Sequence, residues 1–242
     1  MRKDQAGKPL DETTTIGELV AEDYRTARVF EKHGIDFCCG GKVALSEACR
    51  QKGVDPAAIA NELEALKSEP LDRGHNYAAW DLSFLADYIV NTHHAYLHEN
   101  LEEIAVYARK VAQVHGKNHP EVIEIANIFD KIAADMAAHL REEEEKFFPA
   151  LKRIEAARKA GVDPEIEDLA AVRESLEKFD VEHTEIGDAV HAIRALSKDY
   201  TVPDDACNTY MVTYRKLKEF EDDLHLHVHL ENNILFPKAA AL

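Results

Sequence analysis

The sequence predicts an all-α protein in which an antiparallel four-helix bundle follows a small helical N-terminal domain. Apolar residues recur at intervals of three and four through four long segments, as on the buried face of a helix. Glycine- and proline-containing turns separate these segments, and no stretch shows the alternation of a strand. The net charge of −17 argues against nucleic acid or an anionic membrane as a partner, because like charges repel.

The length of 242 residues suits a small domain followed by a larger one. We expect a disordered tail at residues 1–12, a helical N-terminal domain at 13–75 and the bundle at 76–242. The boundary rests on the polar, turn-forming run Glu69–Gly74. No apolar run approaches the roughly 20 residues that cross a bilayer, and no apolar segment follows the charged start, so we expect a cytoplasmic protein.

The N-terminal domain begins with Thr13–Thr15, which offers N-caps for a short helix through Val20. A second helix ends at Gly34, and further helices are expected at about 43 to 51 and 55 to 67, the last of which begins with Asp-Pro. These elements together predict a small helical module.

The segment Asp36-Phe37-Cys38-Cys39-Gly40-Gly41-Lys42 joins two of these helices. Paired glycines after paired cysteines predict a tight turn that leaves the thiols near the surface. Adjacent cysteines rarely form an unstrained disulfide, so Cys38 and Cys39 are candidates for a redox or metal-relay role, with a reduced pair in a structural turn as the alternative. Cys49 and Cys207 carry no motif, and we interpret both as packing residues.

The bundle is expected to consist of four helices, A to D. Helix A is expected at about 81 to 114, and the turn Gly116–Pro120 leads to helix B, which ends at about 160. The turn Gly161–Pro164 leads to helix C, which ends at about 198, and the turn Asp199–Pro203 leads to helix D, which ends at about Phe236. Turns this short make consecutive helices antiparallel neighbours.

One pattern occurs twice in the bundle: a histidine, a glutamate four residues later, and Phe-Pro at the ninth and tenth positions. The copies are His139 with Glu143 and His227 with Glu231. Residues four apart share one face of a helix, and here that face continues the apolar stripe. A carboxylate in a core is costly unless it is paired or binds a metal, so the repeat predicts metal ligands.

Single histidines on the other two helices fall at the same level. His93 and His139 lie equally far from the turn between them, as do His139 and His183, while His227 fits less closely. The apolar periodicity accepts His94 as well as His93. Four imidazoles and two glutamates predict a dinuclear site with two histidines per metal and both carboxylates bridging, which leaves positions open for an oxo or hydroxo bridge and for O₂ or NO.

The remaining histidines and acids have simpler interpretations. His225 and His229 lie roughly 200° around the helix from His227 and are expected on the solvent side. Positions at the surface or behind the ligands are expected for His98, His115, His119 and His191. A solvated face with local charge pairs is expected for Glu142, Glu144 and Glu145. A lone core histidine such as His183 is usually a packing residue, and only the repeated pattern argues otherwise.

Two segments, Asp36–Lys42 and Leu230–Pro237, resemble the repair-of-iron-centres family, di-iron proteins of hemerythrin-like fold associated with iron–sulfur cluster repair after nitrosative or oxidative stress. The resemblance covers nearly the whole chain from Thr13. It implies two non-haem iron ions per chain, oxo- or hydroxo-bridged, and selects the first histidine of helix A as ligand. The iron ligands that it implies are His93, His139, Glu143, His183, His227 and Glu231.

The resemblance implies repair of iron–sulfur clusters by iron donation, by NO reduction at the di-iron site, or by both. Damaged iron–sulfur proteins are then the partners, and NO or O₂ the small-molecule ligands. The alternatives are a hemerythrin-like carrier or sensor of O₂ or NO, and a structural or iron-storage bundle. Enzymatic turnover, with NO reduction as the candidate reaction, and a homodimer are left open, as is auxiliary metal binding at His94, His98, His225 and His229.

Overall fold

The computed structural model describes residues 14–67 and 76–242. The expected tail at 1–12 and the expected domain boundary near residue 75 lie outside these residues and stay predictions. In the described part the chain is helical, and its β pairing is limited to an isolated antiparallel bridge between Thr15 and Ala44. The prediction of an all-α fold is confirmed. Among the described helices none has the length and apolar character needed to cross a membrane.

The helices follow the order that the sequence predicts. The α-helices are α1 Ile16–Glu22, α2 Ala27–Lys32, α3 Leu45–Lys52, α4 Pro56–Lys67, α5 Leu82–Ile89, α6 Ala95–His115, α7 Glu121–Glu142, α8 Phe148–Lys159, α9 Ile166–Leu196, α10 Asn208–Leu230 and α11 Phe236–Ala240. Short 3₁₀ helices span Tyr24–Thr26 and Tyr77–Ala79. Three π-helical segments, in which each turn holds one extra residue, span Val90–His94, Glu143–Phe147 and Glu231–Leu235.

The described residues divide into two compact units. The first contains the described chain up to Trp80 together with His229–Ile234, and the second contains Asp81–Val228 together with Leu235–Leu242. The segment His229–Ile234 therefore belongs with the N-terminal helices, although it lies in the continuous last helix. Sequence periodicity gave no indication of this assignment.

In the first unit, Asn233 lies against the backbone of two glycines. Its Nδ2 donates a hydrogen bond of 3.0 Å to the carbonyl of Phe37. A Cβ added to Gly17 would lie 2.1 Å from Asn233 Oδ1, and one added to Gly41 would lie 2.4 Å from the same atom. The Gly17 amide also donates to the Gly41 carbonyl at 2.8 Å. Glycine is therefore required at both positions by close approach, because no side chain fits beside Asn233.

We expect Gly17→Ala to destabilise the protein by about 1–2 kcal/mol, since the added methyl group displaces Asn233 and breaks its hydrogen bond to Phe37. Urea unfolding followed by circular dichroism measures the change. In an Asn233→Ala background the same glycine substitution should cost much less, because the obstructing side chain is gone. Equal costs in both backgrounds would contradict the proposed contact.

The second unit is built from the long helices, whose apolar faces pack together. Helix α6 packs on α7, α7 on α9, and α8 on both α5 and α9. Helix α10 joins them through Phe220, whose ring lies 5.2 Å from that of Phe129 on α7 in an edge-to-face arrangement. The apolar stripe of α9 is buried at Val172, Phe179, Ile186, Val190 and Ile193, at the three- and four-residue spacing expected from the sequence.

Each π-helical segment lies where a candidate ligand is positioned. His94 ends the first segment, and Glu143 and Glu231 begin the other two. In the second segment the Phe148 amide donates to the Glu143 carbonyl, five residues back. The second and third segments are each followed by Phe-Pro, and proline lacks the amide that an α-helix needs and crowds the carbonyl four residues back. The wider turn accommodates the proline and sets the direction of each glutamate.

Candidate metal centre

Two sets of ligand-type side chains lie in the core, and they share two glutamates. The first set is His94, Glu143, His227 and Glu231, and the second is His139, Glu143, His183 and Glu231. Within each set, one ligand atom from every residue lies within 4.8 Å of the others, and all of these residues are buried. Carboxylates common to two histidine pairs are the arrangement expected for two neighbouring metal ions with bridging ligands.

His94, and not His93, contributes to these sets. His94 Nε2 lies 3.4 Å from Glu143 Oε2. By contrast, His93 Nδ1 lies 2.9 Å from Asp223 Oδ1, and the His93 ring stacks on that of His227 at 5.5 Å. The structure thus brings together five of the six ligands that the sequence and the family resemblance predict, all except His93. In the place of His93 the cluster contains its neighbour His94. The metal-binding roles of all of them stay predictions.

Glu143 shows that a cation fits this cluster. The residue is fully buried, and neither carboxylate oxygen accepts a hydrogen bond from the residues that the structure describes. Burial opposes ionisation, but His139, with Nε2 3.2 Å from Oε2, and His94 together lower the pKa of Glu143 well below its ordinary value. An ionised carboxylate is costly in a core, and a metal ion among these imidazoles would neutralise it.

Carboxylates behind the histidines orient two of the rings. Glu182 Oε2 lies 2.8 Å from His139 Nδ1, and Glu144 Oε1 lies 2.9 Å from His94 Nδ1. The bond from His139 lowers the pKa of Glu182, so this carboxylate is ionised at neutral pH and accepts the Nδ1 proton. Both Nε2 atoms then face Glu143, at 3.2 Å for His139 and 3.4 Å for His94, which is how such pairs prepare histidine ligands.

Sequence reasoning missed these two supporting acids. Glu144 was expected on a solvated face, but it also contacts His98 Nε2 at 2.9 Å and so connects two histidines. Glu182 directly precedes His183 and gave no signal in its own right. A histidine that binds a metal needs a hydrogen-bond acceptor, often a carboxylate, for its second ring nitrogen. This rule predicts that such acids exist but does not predict their positions in the sequence.

We expect Glu182→Ala to weaken metal binding roughly 10- to 100-fold, since His139 loses the acceptor that fixes its ring and tautomer. Competition against a chelator of known affinity measures the change. Glu185→Ala provides the matched control, because Glu185 is an exposed acid on the same helix. An unchanged affinity in the Glu182 variant would show that His139 is positioned by packing alone.

The interior of the cluster favours neutral imidazoles. Burial, followed by the nearby His94 and His93, lowers the pKa of His227 well below its ordinary value. His227 is therefore neutral at pH 7 and keeps a lone pair for a metal. His183 stacks on Phe236 at 5.6 Å, with Nε2 3.1 Å from that of His139. All ligand-type side chains of the two sets are buried, which keeps bulk water from the ligand atoms and strengthens electrostatic interactions among them.

The expectation for His229 was wrong, and that for His225 holds only in part. His229 is fully buried, and its ring lies 5.7 Å from that of Tyr24 and 5.8 Å from that of Phe37. His229 belongs to the first unit, and within that unit these two aromatic rings cover the helix face that periodicity assigned to solvent. His225 is half-buried, with Nε2 3.8 Å from Glu221 Oε1.

The vicinal cysteines share one acceptor. Asp36 Oδ1 accepts hydrogen bonds from the amides of Cys38 and Cys39 at 2.9 and 3.1 Å, and Cys38 Sγ lies 3.2 Å from the same oxygen. The two sulfurs are 3.9 Å apart. The hydrogen bond to Cys39 and burial raise the pKa of Cys38, so this thiol is protonated at neutral pH. Cys38 is buried and not near the surface as expected, and the redox or relay role stays a prediction.

The other two cysteines differ from each other. Cys49 is buried, as expected for a packing residue. Cys207 is exposed, so its assignment to packing was wrong. Hydrogen bonds from the Tyr210 amide and from His115, whose Nε2 lies 3.2 Å from Sγ, lower the pKa of Cys207 to about 7. A position just before a helix, where amides are unpaired, explains this shift.

Known proteins resemble this chain over nearly its full length. Residues 85–239 match the hemerythrin HHE cation-binding domain, and residues 12–67 match the ScdA_N domain of unknown function. The iron-sulfur cluster repair protein ScdA of Staphylococcus haemolyticus is 34% identical over 224 residues, which cover 92% of this chain and 96% of the relative. This chain belongs to the repair-of-iron-centres family. Its hemerythrin-like class is thereby confirmed.

Two further members of the repair-of-iron-centres family show the same coverage. The iron-sulfur cluster repair protein YtfE of Yersinia pestis is 31% identical over 228 residues, or 93% of this chain and 96% of the relative. ScdA of Staphylococcus epidermidis is 28% identical over 226 residues, with coverages of 93% and 97%. Both segments that carry the resemblance, the Cys-Cys-Gly-Gly turn and the C-terminal repeat, lie inside the matched domains.

Proposed function

We propose that this protein holds two iron ions and takes part in the repair of iron–sulfur clusters damaged by nitrosative or oxidative stress. One observation carries the proposal: two buried histidine pairs share Glu143 and Glu231. The mixture of imidazole and carboxylate suits iron among the first-row metals, and the names of the relatives supply the cellular role. We assign one ion to His94 and His227 and the other to His139 and His183.

The residues of the chain prepare this centre for small molecules. Neutral His227 would bind without adding charge, the two shared glutamates would offset part of the charge of the cations, and the ring of Phe236 would limit access of water. Four protein ligands per ion leave positions free on iron, which prefers five or six. When bound, the iron pair supplies redox chemistry and a binding place for a diatomic molecule such as NO or O₂. The equal ligand sets favour a repair role over a dedicated O₂ carrier.

In this proposal iron is also the cargo. The recipient would be a protein that has lost iron from its cluster, and Cys38 and Cys39 would be the relay toward it. All four cysteines lie in the described residues and none of them forms a disulfide, which agrees with action in the reducing cytoplasm. Cys38 is held protonated, so it would need to lose its proton before it binds iron.

Metal analysis of anaerobically purified protein tests the centre. We expect about two iron ions per chain. Stoichiometric zinc without iron, in protein from iron-replete cells, would contradict the proposal. Mixing the reduced protein with NO should then produce iron–nitrosyl absorption. An unchanged spectrum would remove the basis for NO chemistry while leaving iron donation to be judged by the next measurement.

A reconstitution assay tests the role. A dehydratase whose iron–sulfur cluster has been damaged by NO is incubated with the iron-loaded protein, and its recovered activity is measured. We expect faster recovery than with an equal amount of free ferrous iron, and we expect Cys38→Ser to bind iron normally but to repair more slowly. Recovery equal to that with free iron would contradict a repair function and would favour a storage bundle.

A further inference from the structure

A third group of ligand-type residues lies outside the centre described above. It consists of His191 on α9 with Glu221 and His225 on α10, and one ligand atom from each lies within 4.8 Å of the others. None of the three belongs to the two sets that share Glu143. Glu221 precedes His227 by six positions, roughly 9 Å along a helix. We propose that this group is a separate binding site for a divalent transition-metal ion.

Glu221 provides the anionic ligand. It is fully buried, and its Oε2 accepts hydrogen bonds from the Tyr200 hydroxyl at 2.6 Å and from Arg194 Nε at 3.0 Å. These two donors fix the carboxylate in one orientation. Its Oε1 accepts no hydrogen bond from the residues that the structure describes. Arg194 Nε lies 2.9 Å from Oε1 without forming a hydrogen bond to it, so Oε1 is the oxygen that a metal ion would bind, and the donors on Oε2 hold it in place as neighbouring groups usually hold a metal ligand.

Both imidazoles lie close to this carboxylate. His225 follows Glu221 by one helical turn, and its Nε2 lies 3.8 Å from Oε1, too far for a hydrogen bond but close enough for both atoms to reach one ion. His191 comes from the neighbouring helix, with its ring 6.2 Å from that of His225. Two helices therefore contribute to one cluster of two nitrogens and an oxygen.

Arg194 is the main argument for an ordinary ion pair. Its Nε lies 2.9 Å from Oε1 as well, and it offsets the charge of Glu221 in the absence of metal. A neighbouring cation also weakens the binding of a metal ion by repulsion. The guanidinium, however, does not account for the two histidines whose ligand atoms lie within 4.8 Å of an oxygen of this carboxylate. We therefore expect a site weaker than the di-iron centre, and one that needs both imidazoles.

The donor set defines the class of ion. Two imidazoles and one carboxylate suit Zn²⁺, Co²⁺, Ni²⁺ or Cu²⁺, whereas Mg²⁺ and Ca²⁺ prefer oxygen ligands throughout. With three protein ligands, water would complete the coordination of zinc. The site does not depend on the proposed repair function, because it shares no residue with the di-iron centre.

Zinc binding to the full-length, iron-loaded protein tests the proposal. The protein is titrated with Zn²⁺ against a chromophoric indicator while released iron is measured. We expect one additional zinc ion per chain without loss of iron, and no competition from excess Mg²⁺. The double variant His191→Ala/His225→Ala should bind this ion at least about tenfold more weakly, and Glu221→Gln should do the same with little change of shape.

The double variant His33→Ala/His119→Ala is the matched control, since each of these histidines also pairs with a carboxylate elsewhere in the chain. It should bind zinc like the unaltered protein. Circular dichroism checks that each variant folds, and Glu221→Gln decides the matter if the histidine double variant does not. Zinc uptake that is unchanged in a folded variant, or that is matched by an equal release of iron, would overturn the proposal.

Discussion

Glu143→Gln should remove most of the metal from both positions, because Glu143 is common to the two ligand sets. The amide keeps the size of the side chain but cannot supply the negative charge that two cations require. Metal content should fall from about two ions per chain toward zero. The stabilisation that metal gives the folded protein, about 2.7 kcal/mol at a free concentration 100 times the Kd, should disappear with it.

Inductively coupled plasma mass spectrometry and thermal unfolding with and without Fe²⁺ measure these effects. Glu145→Gln is the control, because Glu145 lies two residues further on in the same π-helical segment and is exposed. It should retain both the metal and the metal-dependent rise in Tm. If the Glu143 variant keeps two ions, the carboxylate does not bridge, and the assignment of a shared ligand is wrong.

The second large effect separates two adjacent histidines. His94→Ala should weaken binding of the ion assigned to His94 and His227 by more than the roughly 100-fold expected for loss of a ligand's hydrogen-bonding partner. His93→Ala should change it far less, since His93 Nδ1 contacts Asp223 and neither metal set contains the residue. The family resemblance implies that His93 is the ligand, so it predicts the larger loss for His93→Ala. Measuring both variants therefore decides between the two assignments.

Iron content and the near-ultraviolet absorption of the diferric protein measure both variants under the same anaerobic preparation. Asp223→Asn serves as a further control, because it alters only the partner of His93. Loss of iron from the His93 variant together with retention in the His94 variant would show that the helix rotates by one residue in the metal-bound protein.

The sequence was sufficient to predict the α class, the long helices and most of the cluster, and the reasons are physical. His139 and Glu143 lie four apart within a regular apolar stripe, so both the face and its burial follow from helical geometry. The equal distances of His139 and His183 from the turn between their helices predicted that the two residues meet, and their Nε2 atoms lie 3.1 Å apart.

The choice between His93 and His94 could not be made in this way. The π-helical segment Val90–His94 inserts an extra residue into one turn, which shifts the face on which every later residue lies. The burial of His229 also could not be predicted from the sequence, because it depends on Tyr24 and Phe37, some two hundred positions away in the chain. Periodicity reports local geometry and carries no information on such distant contacts.

The assignment of His229–Ile234 to the first unit has a consequence for the making of the protein. The Asn233 side chain bonds to Phe37 across 196 positions of sequence. On a ribosome the N-terminal helices are synthesised first, but this contact can form only after Asn233 has been synthesised. A chain that stops before Asn233 lacks part of its own first unit, so incomplete synthesis products should be recognised and degraded by cellular proteases.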